Sequence, residues 1–236
     1  MTARALYLVR HGALAGDAAL RFVGDTDLPL GAEGEAQALR LRAVLAGAEI
    51  GAAFSSDLER SRRTAELIVA GRNLAVEPRR ALREPAMGAW EGRLRREVAA
   101  ECPEDYRARG ADLARHRVPG GESLDSCRRR VVAEIRRIFR ATSGDVLVVG
   151  HASVNRVFLC HALGLPLRRM FRLGQDPGCL NLLRGAPGDW RVELINFRPP
   201  TPVSACRQTG VTEPVTLDAG VSRGEARCTK PRSSPV

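Results

Sequence analysis

Two histidines, two arginines and one glutamate carry the chemistry this sequence suggests. The run Leu6-Tyr7-Leu8-Val9-Arg10-His11-Gly12 closes a short apolar stretch with a basic pair and a glycine. A second apolar run, DVLVVG at 145–150, ends directly in His151. Such runs read as buried strands, and in open α/β sheets ligands sit at the strand C-termini. Arg60 stands near the start of a predicted helix, and Glu84 lies in a loop containing Pro85, Gly88 and Gly92. If the strands are parallel, the five side chains share one edge of the sheet. Arginine grips phosphate oxygens bidentately. A neutral imidazole nitrogen attacks phosphorus, and a carboxylic acid protonates a departing alkoxide and then activates water. Phosphoryl transfer asks mainly for positioning and positive charge. This set supplies both, so neither a metal nor a cofactor is expected. Taken alone, His11 reads as a core histidine at a strand end more readily than as a base, a ligand or a nucleophile.

The elements that would position these residues alternate between strand and helix. Strands are predicted near 6–10, 50–54, 74–77 and 145–150, with a closing hairpin of 179–184 and 191–195 around Gly185, Pro187 and Gly188. Helices are predicted over 32–46, with Leu39, Ala43 and Val44 on its apolar face, and from a Ser55-Ser56-Asp57 cap to about 70. The segment 93–117 reads as a helix broken at Pro103 and Gly110. A long helix follows from a Ser123 cap to about 141, and another runs from 152 to about 163. Arg60, Arg62 and Arg63 oppose the macrodipole at their helix start, a broken local rule that often marks a site. The expected fold is α/β: three layers, a mostly parallel sheet with helices on both faces. Residues 1–199 form the expected domain. Residues 200–236, rich in Pro, Ser, Thr and Gly without periodicity, are expected to be a disordered tail.

Composition narrows the function classes. The chain has 236 residues and a formal net charge of +10, yet Lys230 is its only lysine. The arginines are spread along the chain and aromatics make up 4%, which speaks against the basic, aromatic-rich patches of nucleic-acid binders. The positive balance favours anionic substrates. The six cysteines form no CxxC pair. No signal peptide and no membrane-length apolar stretch is apparent, so a cytoplasmic protein with reduced thiols is expected.

Five segments, in order, resemble a known family. LVRHG at 8–12, SSDLERSRRTAE at 55–66, LREPAMGAWEG at 82–92, PGGES at 119–123 and VVGHASVNRVFL at 148–159 are similar to the histidine phosphatase superfamily, in its phosphoglycerate mutase-like branch. The stretch LCHALGLPLRRMFRLGQDPGCLNLL at 159–183 is most similar to α-ribazole phosphatase-type small phosphatases. The resemblance implies that His11 is phosphorylated and then released by water. It implies that Arg10, Arg60 and His151 hold the phosphoryl oxygens, and that Glu84 is proton donor and then base. It places Gly24 and the Ala152 backbone beside the substrate, and it implies a hydrogen bond from the other His11 nitrogen to a backbone carbonyl. The implied partner is a small phosphorylated metabolite, with α-ribazole 5′-phosphate the best single guess. Three positions depart from the family pattern: Ala13, Leu14 and Asp17 replace an acid, a Ser or Thr, and an Asn. An acid at position 17 would repel a phosphate dianion unless turned away.

Blander roles compete for several of these residues. Glu91 or Glu122 is the alternative acid, and Arg62 and Arg63 fit a solvated helix face. His116 and His161 look ordinary, and Trp90 reads as packing near a pocket rim. At the level of function, a phosphoglycerate mutase-type phosphotransferase and a non-catalytic phospho-ligand binder stand beside the phosphatase. Mutases of this branch carry a longer insertion between the acid and the second histidine, whereas here only 93–117 fills that place. Sequence alone leaves the oligomeric state open.

Overall fold

The computed structural model describes residues 4–201. The expected disorder of the tail falls on residues that lie, from 202 onward, outside those described. Strands β1 (Arg4–Arg10), β2 (Ile50–Ser55), β3 (Val76–Pro78), β4 (Asp145–Gly150), β5 (Leu180–Ala186) and β6 (Asp189–Phe197) form one sheet in the order β3-β2-β4-β1-β5-β6. The first four run parallel, and β5 and β6 are antiparallel to their neighbours. The mostly parallel, three-layer expectation is met.

The near-continuous apolar character of β1 and β4 follows from burial on both faces. Alternate side chains divide between two cores. Leu6 and Leu8 of β1, with Val146 and Val148 of β4, face one core. Ala5, Tyr7 and Val9, with Leu147 and Val149, face the other. Helices α5 (Leu124–Ala141) and α6 (Ala152–Ala162) cover the first face, with Cys127, Val131, Ile135 and Ile138 at helical spacing. Helices α1 (Ala32–Val44) and α2 (Glu59–Val69) cover the second. On α1 the buried residues are Gly34, Ala38 and Leu41. Leu39 is exposed, which corrects the expected apolar face by about a quarter turn.

Two starts and stops depend on distant partners. Ser123 caps α5 as expected, its Oγ accepting from the Ser126 N–H at 3.2 Å. For α2 the expected Ser-Ser-Asp cap is not used. The Ser56 N–H extends the ladder to Val149 O, so the chain turns later and Leu58 is the N-cap, with no capping side chain of its own. Asp27 reaches across instead, its Oδ1 accepting from the Glu59 N–H at 2.7 Å. The segment 93–117 breaks as predicted at Pro103, into α3 (Arg95–Glu101) and α4 (Pro103–Ala111). Gly110 is still helical, inside the last turn of α4.

Candidate active site

β1 and β4 are neighbours in a register that sets Arg10 opposite Gly150. The next residue on each strand is a histidine, so parallel pairing alone brings His11 and His151 together. Their ring centroids lie 5.1 Å apart, and the His11 N–H donates to Gly150 O. β1 leads to α1 on one face of the sheet, while β4 leads to α6 on the other. The crevice between their C-terminal ends is therefore a switch point, the standard ligand position of open α/β sheets.

A cleft of about 620 Å³ opens there, lined by Arg10, His11, Arg60, Glu84, His151 and Ala152 among others. Gly24 does not line it. The Gly24 N–H donates to Glu91 and its carbonyl accepts from Arg60, so Gly24 backs the site rather than facing substrate. Arg10, His11, Arg60, Glu84, His151 and Ala152 do come together at this one cleft.

Each side chain is held by specific partners. The His11 Nδ1 contacts Gly12 O at 2.7 Å. That contact fixes the Nδ1–H tautomer and leaves Nε2 free, which meets the expectation from the family resemblance. Burial, then Arg10 and Arg60, hold the His11 pKa well below the usual histidine value. Burial and Arg60 do the same for His151. Both rings are neutral near pH 7, as a nucleophilic imidazole must be. His151 Nδ1 accepts from Arg60 Nε at 3.3 Å, and its Nε2 meets Ser61 Oγ at 3.3 Å.

Arg60 is fully buried and is clamped by the carbonyls of Thr26 and Gly24, both at 2.6 Å. Arg10 donates from one terminal nitrogen to Gln175 O. Its Nε is buried with no partner, an orphaned donor that costs free energy until an anion accepts from it. Burial lowers the pKa of both guanidiniums, yet arginine remains charged. Glu84 lies at the start of α6. Its carboxylate accepts from the Ser153 N–H at 3.1 Å and from Ser153 Oγ at 2.7 Å. Ala152, one residue earlier, lines the cleft at the open end of the same helix, where backbone donors and the macrodipole favour anions.

The competing acids are engaged elsewhere. Glu91 accepts from the N–H groups of Gly24, Thr26 and Met87, tying two loops together. Glu122 pairs with Arg130 at 2.6 Å. Asp17 turns away into an ion pair with Arg21 at 2.7 Å and does not line the cleft, which removes the repulsion its position threatened. Arg62 and Arg63 pair with Glu66 and Glu35 on the surface. Trp90 packs with Phe22, Val98 and Val118 beneath the rim.

Several cleft residues escaped the sequence reading. Ser153 orients Glu84. Arg95, Arg109 and Arg156 line the outer cleft with Tyr106 and Phe171. Arg156 had a usable signal: it lies four residues beyond Ala152, hence on the same helix face, and is the one arginine of its helix. Gln175 belongs to a buried polar group with Asn155 and Asn181 that fixes the carbonyl used by Arg10. Among the described residues, no group of three or more His, Cys, Asp or Glu side chains is placed to hold a metal ion. No helix among them is long and apolar enough to cross a membrane.

The sequence profile of the histidine phosphatase superfamily (branch 1) matches residues 6–198. The chain belongs to that family. This histidine phosphatase is 32% identical over 176 residues to an adenosylcobalamin/alpha-ribazole phosphatase of Escherichia coli, covering 74% of this chain and 86% of the relative. It is 33% identical over 174 residues to phosphoserine phosphatase 1 of Hydrogenobacter thermophilus, covering 72% and 82%. Among solved structures, a putative alpha-ribazole-5′-P phosphatase from Escherichia coli matches with a TM-score of 0.76 and 29% identity, over 83% of this chain and 97% of that one. The fold and the phosphatase activity are those of the family.

Proposed function

We propose that this phosphatase hydrolyses a small phosphorylated metabolite in the cytoplasm, without a metal or cofactor, through a phosphohistidine on His11. The observation that carries the reading is the His11 ring itself. It is neutral, its Nδ1 is tied to Gly12 O, and its free Nε2 belongs to a residue that lines the cleft.

In the first step Nε2 attacks phosphorus. The N–P bond forms, the ester P–O bond breaks, and Glu84 gives its proton to the leaving oxygen. Arg10 and Arg60 hold the phosphoryl oxygens, with the Ala152 N–H at the head of α6, and the His151 Nε2–H joins them by leaving Ser61 Oγ. In the second step a water oxygen attacks phosphorus while Glu84 takes its proton; the N–P bond breaks and inorganic phosphate leaves. Positioning and positive charge supply most of the catalysis.

A mutase differs only in the acceptor, a second alcohol in place of water. The short 93–117 segment supports hydrolysis. The name of the Escherichia coli relative makes α-ribazole 5′-phosphate the first compound to assay. The test is a screen of phosphorylated metabolites for phosphate release, with His11→Ala as the blank. Hydrolysis of at least one compound by the wild type and none by the variant is expected. Faster transfer between alcohols than release to water would favour the mutase. Tight binding with no turnover of any compound would favour a non-catalytic binder.

A further inference from the structure

Arg60 is held from two sides by one short stretch of chain, residues 24–27. Its terminal nitrogens donate to Gly24 O and Thr26 O, both at 2.6 Å. Asp27 takes the Glu59 N–H at the start of the same helix. Both carbonyls are neutral, so they orient the guanidinium without cancelling its charge. Its aim is therefore set by where those two carbonyls stand. Yet no backbone–backbone hydrogen bond among the described residues fixes the stretch 23–29.

Glu91 supplies what the loop lacks. Its Oε1 accepts from the Gly24 N–H at 2.7 Å, the Thr26 N–H at 3.3 Å and the Thr26 hydroxyl at 2.7 Å. Its Oε2 accepts from the Met87 N–H at 3.0 Å. Both N–H groups belong to the residues whose carbonyls grip Arg60. Glu91 is itself rooted, because it follows buried Trp90, whose ring packs on Phe22 with centroids 5.1 Å apart. Phe22 exchanges backbone hydrogen bonds with Gly92 and Arg93 and stands two residues before Gly24. The contact is also tight. A Cβ on Gly24 would lie 2.5 Å from Pro85 O and 2.7 Å from Glu91 Oε2. Burial opposes the charge on Arg60, while Glu84, then Asp27 and Glu91, support it. Glu84, by contrast, is anchored independently on Ser153 and the Val154 N–H. Electrostatic catalysis depends on charges fixed in place before the reaction, and such groups need support from the residues behind them.

We propose that Glu91 is a positioning residue for phosphoryl transfer: it aims Arg60 at the phosphoryl group by holding the Gly24 and Thr26 carbonyls, and it leaves the acid, Glu84, untouched. The inference rests on the phosphatase reading of the inner site.

The test measures affinity for orthovanadate by calorimetry, since vanadate takes the five-coordinate geometry of the transferring phosphorus and binds as a transition-state analogue. In Glu91→Ala the affinity should fall by ~10-fold or more, the size expected for a misplaced charge-assisted contact. Glu91→Gln keeps an oxygen for the three bonds to Gly24 and Thr26 and should restore most of the loss. Gly24→Ala strikes the same contact from the other side and should reproduce the loss. The two changes combined should cost no more than the larger alone, because both act through one contact. A partly unfolded variant changes the stoichiometry and not the constant. Should Glu91→Ala fail to fold, Gly24→Ala carries the same measurement. The ratio of kcat/KM for p-nitrophenyl phosphate to that for an alkyl phosphate should be the same in Glu91→Ala as in the wild type. Unchanged vanadate affinity in Glu91→Ala, or a Gln variant as weak as the Ala variant, would overturn the inference. So would a changed leaving-group ratio, which would make Glu91 itself the acid. If the wild type binds vanadate but hydrolyses no phosphomonoester, the phosphatase reading falls while the vanadate series still decides the aiming of Arg60.

Discussion

At the scale of single residues, Glu84 must serve two roles that pull apart. Its carboxylate accepts from the N–H and Oγ of Ser153 at the start of α6, contacts that suit an anion. As proton donor it must also deliver a proton to the leaving oxygen. The second role is separable by substrate, because a good leaving group departs without protonation. Glu84→Gln should therefore slow alkyl phosphates by about 100-fold or more while slowing p-nitrophenyl phosphate far less. Equal slowing of both in steady-state assays would move the acid role to another group. His11, His151, Arg10, Arg60 and Glu84 were all legible in the sequence, because their types and order fit one reaction. Gly24 was named only through the family resemblance. Its actual work, holding Arg60 through its carbonyl, depends on a fold of the 13–30 loop that no local pattern specifies.

At the scale of elements, legibility followed how local the cause was. β1 and β4 are burial-driven, and their apolar runs name them outright. Their register, which alone juxtaposes the two histidines, is readable only once the strands are known to be neighbours. α5 carries its own cap and its own stripe, so its bounds were predicted from Ser123 to Ala141. The start of α2 was misplaced because its cap, Asp27, lies 32 residues upstream, while Asp57 of the expected cap pairs with Arg83 instead. Three further arginines that line the cleft were missed for a related reason. Arg95, Arg109 and Arg156 lie on three different helices, and each alone resembles an ordinary arginine in a chain full of them. Only the fold shows that aromatic faces, and for Arg156 the Leu173 carbonyl, lie against them in place of carboxylates.

At the scale of the whole molecule, the site imposes a pH dependence on stability. His11 and His151 are neutral in the folded protein, with pKa values well below the ordinary one. In the unfolded chain they protonate near pH 6.5. The unfolded state then binds more protons as pH falls, so the contribution of these two sites is complete above about 6.5 and declines below it. Urea midpoints should drop from pH 7.5 to pH 5.5, and the drop should shrink in His151→Gln. An identical pH slope in wild type and variant would show that the ring is not held neutral.

The central claim is a covalent bond between His11 and phosphorus, and trapping that bond tests it most directly. The wild-type enzyme is mixed with a labelled substrate that it turns over, quenched within milliseconds into alkaline denaturant, where phosphohistidine survives, and mapped by peptide. Label on the peptide containing His11, attached at Nε2 and absent from His11→Ala, is the predicted result. Full turnover with no label on that peptide at any quench time, or label on His151 instead, would contradict it.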